Sequence, residues 1–352
     1  DVGASKTKAV PQDDGSYLIS GEKIFITGGD HDLTENIIHL VLARPVGAGP
    51  GTKGLSMFIV PKFLVNEDGS LGERNDVVTA GVEHKLGIHA SPTCTMKYGE
   101  NGGAVGYLVG EPHNGLAAMF TMMNEARQNV GLQGLAVTER SYQQALAWAK
   151  DRLQGTRKDG SRYPIIEFPD VRRMLMLMKA GTEAMRALAY IASAEADRAR
   201  GAADEAASAR HHARVELYTP IVKGWMTELA QELTSLGVQI HGGMGYVEET
   251  GSAQHFRDAR ITTIYEGTSQ LQIVAAVRGV TSGTLDQFVS SFEQRQHEDP
   301  LLSQLQSQLV ESRQRLGEVI QFAKQKPSSF VDLSARRLVD GAITLIVGHL
   351  LL

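Results

Sequence analysis

The run IYEGTSQLQ, residues 264–272, sets one carboxylate, Glu266, between a bulky aromatic, Tyr265, and a glycine, Gly267. A carboxylate held at a corner and shielded from water can abstract a proton. The spelling predicts a corner: Gly267 relieves a tight turn, and Thr268 or Ser269 can cap a following helix. Ser269 and Gln272 stand at capping-box spacing. A helix dipole alone also favours a glutamate here, so spacing leaves both readings open. A second run, HGGMGY at 241–246, follows a helical stretch. Glycines there either stop the helix, their commoner use, or bring bare backbone N–H groups to a phosphate. The run matches neither the dinucleotide fingerprint nor the P-loop.

Other chemistries find little support. No G-x-S-x-G elbow is present, which leaves serine nucleophile chemistry without its frame. His211 and His212 are adjacent on a helical stretch, do not face one another, and read as a solvated face. His31, His39, His84, His89 and His241 are too scattered for a ligand set, so no metal is expected. MLMLM at 174–178 reads as core filler of a long helix. Arg127, Arg152, Arg257 and Arg260 each read, taken singly, as solvated charges.

The formal net charge of −5 provides no basic field for nucleic acid or an anionic membrane. One cysteine, Cys94, excludes an internal disulfide framework and a multi-thiolate metal site. That fits a reducing compartment, and the expected location is cytoplasmic. The most apolar run, AITLIVGHLLL, is too short to span a bilayer. The chain starts at Asp1 without an initiator methionine, so it is expected to be part of a longer polypeptide.

These residues need a frame, and the texture of the chain predicts one. Up to about residue 112, KIFITGG, NIIHLVLARP, KGLSMFIVPKF and PTCTMKY are short β-branched or aromatic runs separated by Gly, Pro, Asn and Asp. No helical pattern intervenes, which predicts an antiparallel β domain over 1–112. From 113 to 283 the apolar spacing becomes helical, in three long stretches and a fourth after Gly267, with a kink or break expected near Pro220. Modest connections predict an antiparallel four-helix bundle. Residues 284–352 read as an additional C-terminal helical region, clearest in QLQSQLVESRQRLGEVIQFAKQ. The fold class is α+β.

HGGMGY followed at this distance by RDARITTIYEGTSQLQ resembles the C-terminal bundle of acyl-CoA dehydrogenases. GEKIFITGG resembles the strand of their middle β domain that lies against the flavin, and DVGASKTKAV the continuation of a motif whose first half is absent. The similarity runs in order over about residues 1–280. KGLSMFIVPKFLVNEDGSLGERNDV and EHKLGIHASPTC are closer to the large members, 3-methylmercaptopropionyl-CoA dehydrogenases among them, whose extra C-terminal helical domain would account for 284–352.

The resemblance implies FAD-dependent α,β-dehydrogenation of an acyl-CoA thioester to the trans-2-enoyl-CoA. Glu266 would remove the α-proton and flavin N5 accept the β-hydride. It implies Phe25 and Thr27 at the flavin ring, Arg152 at the pyrophosphate across a subunit interface, and Gln239, Gly242 and Gly243 at the adenosine end. Thr268 and Gln270 would lie on the same cofactor surface. Arg127 is similar to an arginine near the CoA moiety, and Tyr265 and Gly267 are expected on the substrate side. Electron-transfer flavoprotein is the implied acceptor and a homodimer, or a tetramer, the implied assembly. The chain departs from the pattern at Phe25, often tryptophan, and at the LQGT after Arg152. The resemblance leaves two alternatives with the same fold: an acyl-CoA oxidase using oxygen, and a non-enzymatic, flavin-containing, DNA-associated homologue.

Overall fold

The computed structural model describes residues 2–352. The chain divides into two compact units, the first ending at Asn124 and the second spanning Glu125–Leu352.

The first unit holds strands β1 (Lys8–Pro11), β2 (Tyr17–Thr27), β3 (Ile38–Pro45), β4 (Ser56–Pro61), β5 (Phe63–Val65), β6 (Leu71–Arg74), β7 (Val77–Val82), β8 (Thr93–Tyr98) and β9 (Ala104–Leu108). The sheet order is β1-β3-β4-β9-β2-β8-β7, and a further β1–β2 pairing closes its first five strands into a ring. The ring encloses Ala9, Ile19, Val41, Phe58, Val60 and Ala104. Closure leaves these strands no open edge within the ring. Pairing is antiparallel throughout the sheet except between β1 and β3, which run parallel, so the expected all-antiparallel domain is corrected at that one ladder. Beyond the ring, β2 continues against β8, and the ladder slips between Lys23 and Ile26. That bulge lifts Ile24 and Phe25 out of register, and both are exposed.

Helices follow: α1 (Gly115–Asp151), then the hairpin β10 (Leu153–Thr156) and β11 (Arg162–Pro164), then α2 (Pro169–Arg200), α3 (Glu205–His241), α4 (Ser252–Arg260), α5 (Ser269–Ser282), α6 (Thr284–Phe292), α7 (Pro300–Lys324) and α8 (Ser328–Leu351). Close approaches at glycine fix the helix directions in the second unit. A Cβ on Gly131 would meet Val222, one on Gly134 would meet Met226, and one on Gly237 would strike Ser141, so α1 and α3 run parallel. Gly181 abuts Leu233, and Gly237 lies near Met178, which sets α2 antiparallel to α3. Gly224 abuts Gln272 and Gly279 abuts Leu217, so α5 is also antiparallel to α3. The result is an up-down-up-down bundle.

α3 is continuous through Pro220, so of the kink or break expected there the break does not occur. Burial of the whole segment Leu217–Gly224 compensates for the one helical hydrogen bond a proline forfeits. His211 also departs from the solvated-face reading: its Nδ1 lies 2.6 Å from the buried Glu195 of α2, which Arg198 and Arg214 also approach. One apolar core runs from Leu135 on α1 to Ile346 on α8 and includes Phe288, Val289 and Phe292 of α6.

Candidate active site

The 264–268 segment connects a single turn of 3-10 helix, Ile261–Thr263, to α5. It bends sharply. Glu266 has φ 55° and Gly267 φ 96°, both left-handed. For glycine that conformation is free, but for glutamate it stores about 1–2 kcal/mol. Surrounding groups hold the turn. Arg127 Nε on α1 donates to the Glu266 carbonyl at 3.3 Å. Lys223 Nζ on α3 and Gln272 Nε2 on α5 both donate to the next carbonyl, that of Gly267. Tyr265 donates its hydroxyl to the Gln133 side chain on α1. Among the described residues, the backbone N–H of Glu266 has no hydrogen-bond partner.

The expected helix cap is corrected in detail. α5 starts at Ser269, so Thr268 is the N-cap, and it makes no side-chain cap bond. Ser269 and Gln272 therefore do not form a capping box; Gln272 reaches back to Gly267. The surroundings are short of solvent. Burial lowers the basicity of Arg127, with the Glu266 carboxylate opposing it. Burial and that same carboxylate raise the pKa of Tyr265. Lys223 is completely buried, and desolvation with the neighbouring Arg127 pushes its ammonium down to about 8, against the opposing charges of Glu266 and Glu228.

The structure thus joins Arg127, Tyr265, Glu266 and Gly267, all half-buried, in one hydrogen-bonded corner. Arg127 is not the solvated charge that its isolated reading suggests. Lys223, Gln133 and Gln272 belong to this corner and were not legible as site residues, since Lys223 sits in an apolar helical run where a lysine ordinarily snorkels outward. Thr268 and Gln270 flank the corner and are exposed. No hydrogen bond or ion pair ties Arg152, Gln239, Gly242 or Gly243 to it. Gly242 ends α3 with φ 63°, its N–H bonded to the Gln239 carbonyl, so the glycine run does stop the helix. Gly242 and Gly243 also have open space where a Cβ would stand.

In the first unit, Phe25 has φ 59° and is 67% exposed. Of the four non-glycine residues with positive φ among the described residues, two are Phe25 and Glu266. Strain of this kind gathers where a backbone is over-determined for a task. Within the second unit, the exposed cation of Arg152, the bare backbone at Gly242 and Gly243 and the exposed amides of Gln239 and Gln270 are groups of the kind that suit a dinucleotide flavin; the first unit, taken by itself, presents Ile24, Phe25 and Thr27 as an exposed, largely apolar surface. No group of three or more His, Cys, Asp or Glu is placed to hold a metal among the described residues, and no described helix is long and apolar enough to cross a membrane.

Comparison with known proteins points the same way. The family description "Acyl-CoA dehydrogenase, middle domain" matches residues 1–100, and "Acyl-CoA dehydrogenase, C-terminal domain" matches 113–281. The 3-methylmercaptopropionyl-CoA dehydrogenase of Ruegeria pomeroyi is 54% identical over 275 residues, covering 77% of this chain and 46% of that protein. A Caenorhabditis elegans structure, ACDH-11 in complex with C11-CoA, superposes with a TM-score of 0.86 at 23% identity over 99% of this chain and 57% of that one. The acyl-CoA dehydrogenase of Bacillus anthracis complexed with FAD gives 0.76 at 25% identity over 98% and 58%. The chain thus spans about half the length of the relatives it matches.

Proposed function

The chain belongs to the acyl-CoA dehydrogenase family, and on that premise we propose that it carries the catalytic base and most of the flavin surface for α,β-dehydrogenation of an acyl-CoA thioester to a trans-2-enoyl-CoA. The observation that carries this reading is the left-handed Glu266, pinned through both carbonyls of its turn by Arg127 and by Lys223 with Gln272.

A thioester α-proton is too weakly acidic for a carboxylate in open water. Glu266 sits half-buried beside Tyr265, and a bound acyl chain would remove more solvent from it, which strengthens it as a base. Its own N–H, without a partner among the described residues, would be available to the thioester oxygen where charge develops on proton removal. One residue would supply both base and oxyanion donor. Arg127, whose guanidinium reaches the same turn, is assigned to the substrate side with Tyr265 and Gly267.

FAD, when bound, supplies the acceptor for the hydride that leaves the β-carbon. The residues that would hold it are Phe25 and Thr27 at the ring, Arg152 at the pyrophosphate, and Gln239, Gly242, Gly243, Thr268 and Gln270 along the remainder. Electron-transfer flavoprotein is the proposed acceptor. A homodimer, with a tetramer as the other family habit, is supported by the exposed Met244, Tyr246, Val247 and Phe256 beside the glycine corner.

Anaerobic mixing of the full-length protein with 3-methylmercaptopropionyl-CoA tests the assignment. Glu266→Gln is expected to keep its flavin and to bleach it about 100- to 10,000-fold more slowly than the wild type. Bleaching at the wild-type rate would remove Glu266 from the mechanism.

A further inference from the structure

Lys223 is the only buried lysine or arginine among the described residues, with 0% of its surface exposed. Burying an ammonium costs several kcal/mol unless its partners compensate. Here they barely do. Of three donors the ammonium uses one, to the carbonyl of Gly267. An apolar side chain would avoid that cost. The expense is concentrated one residue from the proposed base.

We propose that Lys223 is a positioning residue for proton removal: its ammonium pins the Gly267 carbonyl and so locks Glu266 in the left-handed conformation that presents its carboxylate. The inference rests on the dehydrogenase reading above and adds a second cation to it. Two consecutive carbonyls are held by cations from two helices, that of Glu266 by Arg127 on α1 and that of Gly267 by Lys223 on α3. α1 and α3 cannot drift apart locally, because Gly131 brings α1 onto the Val222 backbone, the residue beside Lys223. The two anchors are thereby fixed relative to each other. Without Lys223 the strain at Glu266 can relax by rotation into an ordinary backbone basin, and the carboxylate swings with it. Displacement by about 1 Å at a reacting group costs about 100-fold in rate.

The charge on Lys223 strengthens the pin, since a charge-assisted hydrogen bond is about twice as strong as a neutral one. The charged groups that face it are Arg127 from α1, Glu266 from the turn and Glu228 from α3 itself; α5 contributes the neutral Gln272. Burial and Arg127 bring its titration to about 8. The ammonium is present below that pH and lost above it. Proton removal is therefore expected to weaken as pH rises through about 8.

The test uses the FAD-loaded full-length protein with Lys223→Met, which keeps the length without charge or donor, and Lys223→Gln, which keeps a neutral donor. In anaerobic stopped flow the Met variant is expected to bleach about 100-fold more slowly, with Gln between it and wild type. Affinity for the thioester should stay within about threefold, because the loss is in the transition state. The wild type should slow above about pH 8, and neither variant should show that fall. Hydrogen exchange across 261–272 should quicken in the Met variant, with no change across α2. If the Met variant does not fold, the Gln variant carries the same comparison. Wild-type rates in the variants would overturn the proposal. So would slow variants that retain the fall above about pH 8 with exchange at the turn unchanged. A wild type that no thioester bleaches would sink the dehydrogenase reading instead, and Lys223 would then be judged by exchange alone.

Discussion

Left-handed backbone at Glu266 and at Phe25 has opposite surroundings, and substitution separates the consequences. Phe25 is exposed, and φ 59° suits glycine better than phenylalanine. Phe25→Gly is expected to leave stability within about 1 kcal/mol, because relief of strain offsets the entropy gained by the unfolded chain. FAD retention on dilution should fall, a loss that the folded state alone does not predict. Gly267 is the reverse case: a Cβ there, at φ 96°, would lie 2.8 Å from Gln272 Nε2. Gly267→Ala is expected to cost about 1–3 kcal/mol in chemical denaturation and to slow flavin bleaching along with it. Unaltered bleaching in that variant would show that the turn tolerates movement. Glu266 could be singled out in the sequence because the run that carries it, read together with HGGMGY, resembles a family motif; its neighbours Tyr265 and Gly267 alone left the helix-dipole reading open. Lys223 was not, because its partner carbonyl lies 44 positions away and only folding brings the two together.

Between elements, small residues decide how closely the helices approach. At Gly131 a Cβ would stand 2.4 Å from the Val222 side chain and 2.9 Å from its backbone oxygen. Gly131→Leu is expected to destabilise the helical unit by about 1–3 kcal/mol through overpacking, and to slow flavin bleaching by parting Arg127 from Lys223. The periodicity of α2 was readable because it buries a stripe at helical spacing that includes Met174, Met178, Met185, Leu188 and Ala192; the parallel β1–β3 ladder was not, since no local pattern distinguishes parallel from antiparallel pairing. The His211–Glu195 contact escaped for a related reason, since helix spacing describes neighbours on one helix and this contact joins two. Glu195 is buried, and although burial alone would raise its pKa, hydrogen bonds from His211 and Arg198 and the nearby Arg214 hold the carboxyl below the ordinary range. A carboxyl lowered on folding contributes stability that is complete above its unfolded pKa and lost as pH falls through the folded one. Glu195→Gln should therefore be less stable than wild type near neutrality and converge with it in acid, as followed by thermal melts across pH.

For the molecule as a whole, the question is whether residues 284–352 are a separate module or the far side of one core. Gly283, with φ 99°, interrupts the helical path between α5 and α6, and in the sequence that glycine reads as a boundary. Packing runs across it. Phe288 meets Tyr218 of α3 edge to face, and Leu338, Val339, Ala342, Ile343 and Ile346 of α8 are buried in the same cluster as Met185 and Leu217. The charges bridge it as well: Arg336 on α8 grips both oxygens of Glu228 on α3 at 2.7 and 2.8 Å. Burial opposes ionisation of Glu228, but Arg336, Ser269 and Lys223 together hold its carboxyl below the ordinary range, which links α8 to the charges around the proposed base. Such a half-exposed pair is worth about 1 kcal/mol or less, so the apolar contacts decide. Each large side chain uncovered forfeits about 1.5–3 kcal/mol, so Leu338, Val339, Ile343 and Ile346 of α8 together are comparable to the whole margin of an ordinary domain. A chain ending at Gly283 is therefore expected to aggregate or to lose cooperative melting, as judged by size-exclusion chromatography and calorimetry. Recovery of a monodisperse, cooperatively melting protein with wild-type flavin content would establish the appendage as an independent module. By contrast, Arg336→Ala in the intact chain should shift the melt only slightly, so that any larger fall in bleaching rate would trace to the charge on Glu228 rather than to the core.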